Sequence, residues 1–97
     1  MARRSRFEMK MAILELLSTG PQNQAPLMRR ANLPWYEFHS LMHQLRKSGF
    51  IIGATGEKWA RTTWSLSEKG VEAIDLWRRL AGLLDEEPLL KLVTMAW

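Results

Sequence analysis

His39 and His43 stand four residues apart, the spacing that puts two imidazoles on one face of a helix. That is half of a metal site. Ser40 stands where H-E-x-x-H requires a glutamate, and no third ligand is evident, so no metal is expected. Glu86 and Glu87 are paired acids, but they lie in the turn-like Asp85-Glu-Glu-Pro88 with no flanking catalytic partner and fit a solvated helix terminus. No residue set supports an enzyme, and no cofactor is expected.

What remains is a mixed polar face. Between Leu33 and Gly49, Phe38, Leu41, Met42 and Leu45 fall at i, i+3, i+4 and i+7, one helical stripe. At about 100° per residue, Tyr36, Ser40, His43 and Lys47 line up opposite it, flanked by His39 and Gln44. A face built only for solvation is usually dominated by Glu and Lys in pairs of opposite charge. This one offers donors, acceptors, an aromatic ring and a cation, which is chemistry for touching something polar and negatively charged.

The composition narrows the partner. Ninety-seven residues, 46% hydrophobic and 25% charged, make one small globular domain. The absence of cysteine excludes disulfides and thiolate metal sites and agrees with a reducing, cytoplasmic setting. Met-Ala-Arg-Arg-Ser-Arg mimics the start of a signal peptide, but Glu8, Lys10 and Glu15 interrupt the apolar residues behind it. No apolar run of about 18 residues is present to span a membrane. The net charge of +4 is unevenly placed: residues 1–49 hold eight Lys and Arg against three acids, and residues 50–97 hold six against seven. A basic half implies an oriented anionic partner, nucleic acid being the commonest, with a plain solubility charge as the alternative.

The elements that must position this face can be read from caps and periods. Ser5-x-x-Glu8 matches a capping box and Gly20-Pro21 a stop, so a first helix is expected over about 5–19, with Phe7, Met11, Leu14 and Leu17 as its main stripe and most of it buried. Pro21-Gln-Asn-Gln24 reads as a polar loop. A short helix comes next over about 25–31, with Pro26 in its first turn. After the tight turn at Asn32-Leu33, Pro34 opens the third helix and Gly49 caps its end. The period then changes. Phe50-Ile51-Ile52 and the alternating Thr62-Thr-Trp-Ser-Leu66 form two strands of a hairpin whose loop carries Lys58, Trp59 and Arg61. Ser67 caps a fourth helix reaching about Leu84. The chain divides into a core of residues 1–66 and a C-terminal helix with an apolar tail, 67–97.

The fold class expected is therefore mainly α with a small β-hairpin, in the order of a winged helix-turn-helix. There the third helix enters the DNA major groove and the hairpin, or wing, touches backbone or minor groove. The local residues sharpen this. Arg30-Ala-Asn-Leu33, a helix ending Ser48-Gly49-Phe50-Ile51, and Leu66-Ser-Glu-Lys-Gly70 resemble the R-A-N-L turn, K-G-L-I helix end and L-T-E-K-G junction of the archaeal winged helix-turn-helix DNA-binding family. The resemblance covers about residues 5–84. Pro34 departs from it where the family often has a serine cap, and Pro26 where a polar or basic residue is common.

That family comprises transcriptional regulators and small coiled-coil chromatin proteins, so the resemblance implies double-stranded DNA as partner. Lys47 and Arg46 then neutralise phosphates or donate to guanine, and His39, Ser40, His43 and Gln44 pair with base edges or phosphate oxygens. Tyr36 donates to phosphate, Arg29 and Arg30 hold the backbone, and Lys58 and Arg61 do so from the wing. Trp35 is expected to pack beside helix one. Trp59 either covers the hairpin or makes a contact, and Arg3, Arg4 and Arg6 either follow the DNA backbone or are solvated.

The fourth helix carries more apolar surface than a small core needs. Ala73, Trp77, Leu80 and Leu84 repeat like a heptad seam, with Val71, Ile74 and Ala81 to one side. Leu89, Leu90, Leu92, Val93, Met95 and Trp97 add to the surplus. A homodimer joined by Ala73, Trp77, Leu80, Leu84, Leu89, Leu92 and Val93 is expected, the alternative being a tail folded on its own domain. The rival function is a winged-helix module that binds protein and no DNA.

Overall fold

The computed structural model describes residues 5–54 and 62–84. The order is α1 (Arg6–Leu17), β1 (Gln22–Asn23), α2 (Gln24–Ala31), α3 (Trp35–Lys47), β2 (Ile51–Ala54), β3 (Thr63–Leu66) and α4 (Glu68–Leu83). Lys58, Trp59, Arg61, Arg3, Arg4 and the tail residues Leu89, Leu92 and Val93 lie outside the described residues.

The expected capping box starts α1. The Ser5 hydroxyl accepts from the Glu8 amide at 3.0 Å and the Glu8 carboxylate accepts from the Ser5 amide at 3.5 Å, satisfying two otherwise orphaned donors. Met9, Met11, Ala12, Ile13, Leu14 and Leu17 are all buried, so α1 is enclosed on most sides and forms the centre of the core. Phe7 departs from its expected place in the stripe. It is 56% exposed, close to the helix start, and meets Trp77 of α4 edge to face at 5.5 Å.

Phe38, Leu41, Met42 and Leu45 of α3 are buried against α1 as their spacing requires, joined by Leu27 and Ala31 from α2, Ile51 and Trp64 from the sheet, and Ile74 from α4. Pro34 sits one position earlier than expected, as the N-cap of α3 rather than its first residue.

Among the described residues the sheet has three strands, not two. The segment expected to be a polar loop contains β1, which pairs with β3 through Gln22 opposite Trp64 and Asn23 opposite Thr63, in the order β1-β3-β2. Two residues are too short for any period to show, and their partners lie about forty residues away. The pairing is secured by side chains: Trp64 Nε1 donates to buried Gln24 Oε1 at 3.0 Å, and Thr63 Oγ1 donates to Asn23 Oδ1 at 3.0 Å.

On α4, Ile74 and Ala81 reach the core, with Ala73 and Trp77 half-buried beside them. The seam drawn from spacing is thus split. Ala73 and Trp77 belong to the intramolecular contact, and the exposed apolar ridge is Leu76, Leu80, Leu83 and Leu84. Arg78 holds α4 to α1 by a 2.7 Å ion pair with Glu15 and a 2.9 Å bond to Ser18 Oγ.

The junction Leu66-Ser-Glu-Lys-Gly70 acts as a clamp on the end of α3. The Ser67 hydroxyl accepts from the Gly70 amide at 3.1 Å and donates to the Gly49 carbonyl. Lys69 Nζ donates to the Ser48 carbonyl at 2.8 Å and lies 4.5 Å from the centre of the Phe50 ring. A Cβ at Gly70 would stand 2.2 Å from the Phe50 carbonyl oxygen, a distance only glycine permits. Gly70→Ala is expected to destabilise by about 1–3 kcal/mol through overpacking, and Gly82→Ala, with nothing within 4 Å, to stabilise by about 0.5–1 kcal/mol. Thermal melts of the two variants should therefore move in opposite directions.

Candidate nucleic-acid interface

The approach to α3 is set by one residue in the left-handed region. Asn32 adopts φ 53° and ψ 50°, and its amide donates to the Arg29 carbonyl at 3.1 Å. Asparagine tolerates this conformation better than most residues, so the turn between α2 and α3 is tight. Leu33 is buried behind it and anchors the corner.

With Phe38, Leu41, Met42 and Leu45 inside, α3 turns Tyr36, His43 and Lys47 outward, and Tyr36 is 81% exposed. Ser40 and Gln44 are half-buried on one flank, where Ser40 Oγ accepts from the guanidinium of Arg6 at 3.2 Å. Arg6 therefore brings a cation from α1 to the outer face of α3, a contact across 34 residues that spacing does not reveal. Arg46 lies exposed on the other flank.

Arg29 and Arg30 occupy the last turn of α2, where cations complement the negative end of the helix. Both are exposed. Arg30 Nη1 donates to Gln22 Oε1 at 2.8 Å, and Gln22 Nε2 donates to the Leu16 carbonyl, so one glutamine fixes Arg30 to the end of α1. Gln22 is a positioning residue that no sequence motif marks, because its role depends on β1. Of the eleven candidate contact residues, nine lie among those described, all on α3 or the end of α2; Lys58 and Arg61 lie outside them.

Trp35 is not packed beside helix one. It is 61% exposed and stacks on His39 with ring centres 3.8 Å apart and planes 38° from parallel. Burial lowers the His39 pKa from 6.5, because desolvation disfavours the imidazolium. At neutral pH His39 is therefore mainly a neutral ring. Among the described residues no group of three His, Asp or Glu side chains is placed to hold a metal, and no helix is long and apolar enough to cross a membrane.

An outward helix anchored by a tight turn and backed by a three-stranded sheet defines the class. The chain belongs to the winged helix-turn-helix family, whose model matches residues 3–84. No curated protein matches it in sequence. Among solved structures it is similar to a transcriptional regulator from Clostridium thermocellum, with TM-score 0.69 and 19% identity over 88% of this chain and 93% of that one. It is also similar to a probable transcriptional regulator from Pseudomonas aeruginosa, with TM-score 0.64 and 23% identity over 86% of this chain and 62% of that one. A MarR family regulator from Neisseria meningitidis gives TM-score 0.63 and 20% identity over 86% and 60%. This chain spans less than two thirds of the latter two proteins, and at these identities the likeness is one of fold.

The lowered His39 pKa fixes the sign of one pH effect. Between the unfolded value and the lower folded one, the unfolded chain binds more protons, so folding stability falls as pH drops from about 6.5 through the folded pKa. Urea midpoints measured at about pH 7.5 and about pH 5.0 should therefore fall further for the wild type than for His39→Gln. Equal losses would remove His39 from the account.

Proposed function

We propose that this protein binds double-stranded DNA as a homodimeric transcriptional regulator, with α3 in the major groove and the 53–61 wing on the backbone or minor groove. One observation carries the reading: in a winged helix-turn-helix chain, the outward face of α3 presents Tyr36, His43 and Lys47, with Arg46, Arg29, Arg30 and Arg6 exposed around it. Cations on this rim suit phosphate contact, and the central side chains suit base edges. The Arg30-Ala-Asn-Leu33 turn and the Leu66-Ser-Glu-Lys-Gly70 junction support kinship with the archaeal members. A cytoplasmic setting agrees with a chain lacking cysteine.

The exposed ridge of Leu76, Leu80, Leu83 and Leu84 supports self-association, which would set two recognition helices against one duplex. The mostly apolar sequence of residues 89–97 also favours self-association.

Duplex affinity is expected to fall steeply with salt, log K against log [salt] sloping by about −0.9 per neutralised phosphate. Replacing Arg29, Arg30 and Lys47 together by Ala should weaken binding to all sequences and flatten that slope by about one for each phosphate no longer neutralised. His43→Ala should cost about 1–3 kcal/mol on a preferred site and little on random DNA. A chain that binds no duplex at low salt would contradict the reading in favour of a protein-binding module. In light scattering the intact chain should have twice its 11.3 kDa mass, and Leu76→Glu with Leu80→Glu should abolish the doubling. A folded monomer at micromolar concentration would contradict the dimer.

A further inference from the structure

Between α3 and β3 lies a cleft of about 420 Å³. Buried Met42 and Trp64 line it, with Trp35, His39, His43 and Arg46 along its α3 side. The positions 35, 39, 42 and 46 form one stripe of α3, and Tyr36, Ser40 and His43 also line the cleft, so it reaches from the flank of the helix onto its outer face. Its chemistry is mixed in a particular way. An indole and an imidazole already stack at 3.8 Å, the indole remaining 61% exposed. The exposed guanidinium of Arg46 stands about three turns beyond Trp35 along the same flank.

We propose that this cleft takes an unpaired nucleobase, displaced from the DNA stack, which stacks on Trp35 while Arg46 holds the adjoining phosphate. The inference rests on the reading that the protein binds DNA and adds the form of DNA it prefers. A base kept in the helix offers only its edge to the major groove. A displaced base presents its whole π-face and can enter a cleft lined by buried side chains. Stacking on an aromatic side chain tolerates any base, so the preference is for the unpaired state and not for a sequence. The guanidinium matches the phosphate that accompanies a displaced nucleotide.

The test compares a fully paired duplex of about twenty base pairs with the same duplex carrying one central unpaired 2-aminopurine, titrated at fixed low salt. The bulged duplex should bind at least about fivefold more tightly, and its 2-aminopurine fluorescence should be quenched on binding. Trp35→Ala should bring its affinity down to that of the paired duplex while changing paired binding less than twofold. Trp35→Phe should retain the preference, and a wild-type circular dichroism spectrum for both variants establishes that they are folded. Equal affinity for the two duplexes, or a preference that survives Trp35→Ala, overturns the proposal and leaves DNA binding intact. Failure to bind either duplex overturns the DNA-binding reading and the proposal together.

Discussion

The constraint on which the described structure most depends is the close approach of two backbones, where α4 begins against the end of α3. Gly70 lies so near the Phe50 carbonyl that no Cβ fits, and the Ser67 amide donates to that same carbonyl at 3.1 Å. This contact joins the segment just after α3 to the first turn of α4. It brings β2 and β3 side by side with Ile51 opposite Leu66, and it aims Lys69 at the carbonyl of Ser48. Just past the end of α3, Ser67 and Lys69 donate to the carbonyls of Gly49 and Ser48. The end of α3 is thereby fixed without using any residue of its outer face.

The start of α3 is fixed by the left-handed Asn32 and buried Leu33, so both ends of the helix are held and its middle is free to meet a ligand. The surrounding cations are also placed, not merely abundant. Gln22 ties Arg30 to α1, and Arg6 lies on Ser40. Held side chains lose less rotamer entropy on binding than solvated ones, which favours contact in a single geometry. The apolar ridge of α4 is a separate surface, held to α1 by Arg78 and Glu15.

Much of this is legible in the sequence because it depends on local rules. The Ser5–Glu8 box, the Phe38–Leu41–Met42–Leu45 stripe, the glycine after α3 and the Ser67 cap each require residues within a turn or two of one another, and each is found where its spacing predicts. The features that spacing cannot show involve partners far apart in the chain. β1 exists because Trp64 and Gln24 meet across forty residues. Phe7 fits a helical stripe yet remains exposed, because the helix start passes the edge of the core. Spacing draws the α4 seam through Ala73 and Trp77, but a small core on one side and Phe7 on the other bring both into intramolecular contact. Trp35 is apolar and lies at the edge of the buried α3 stripe, yet its ring is exposed and stacks on His39.

The central claim is that the outward face of α3, together with the end of α2 and the wing beside it, meets DNA. Two-dimensional amide NMR of the labelled protein, titrated with a short duplex at low salt, tests this most directly because it reports every element at once. The account predicts that the largest shifts fall on Tyr36, His43, Lys47 and the end of α2 at Arg29 and Arg30, with the amides of Leu76 to Leu83 unmoved. Shifts concentrated on α4, with α3 silent, would contradict it.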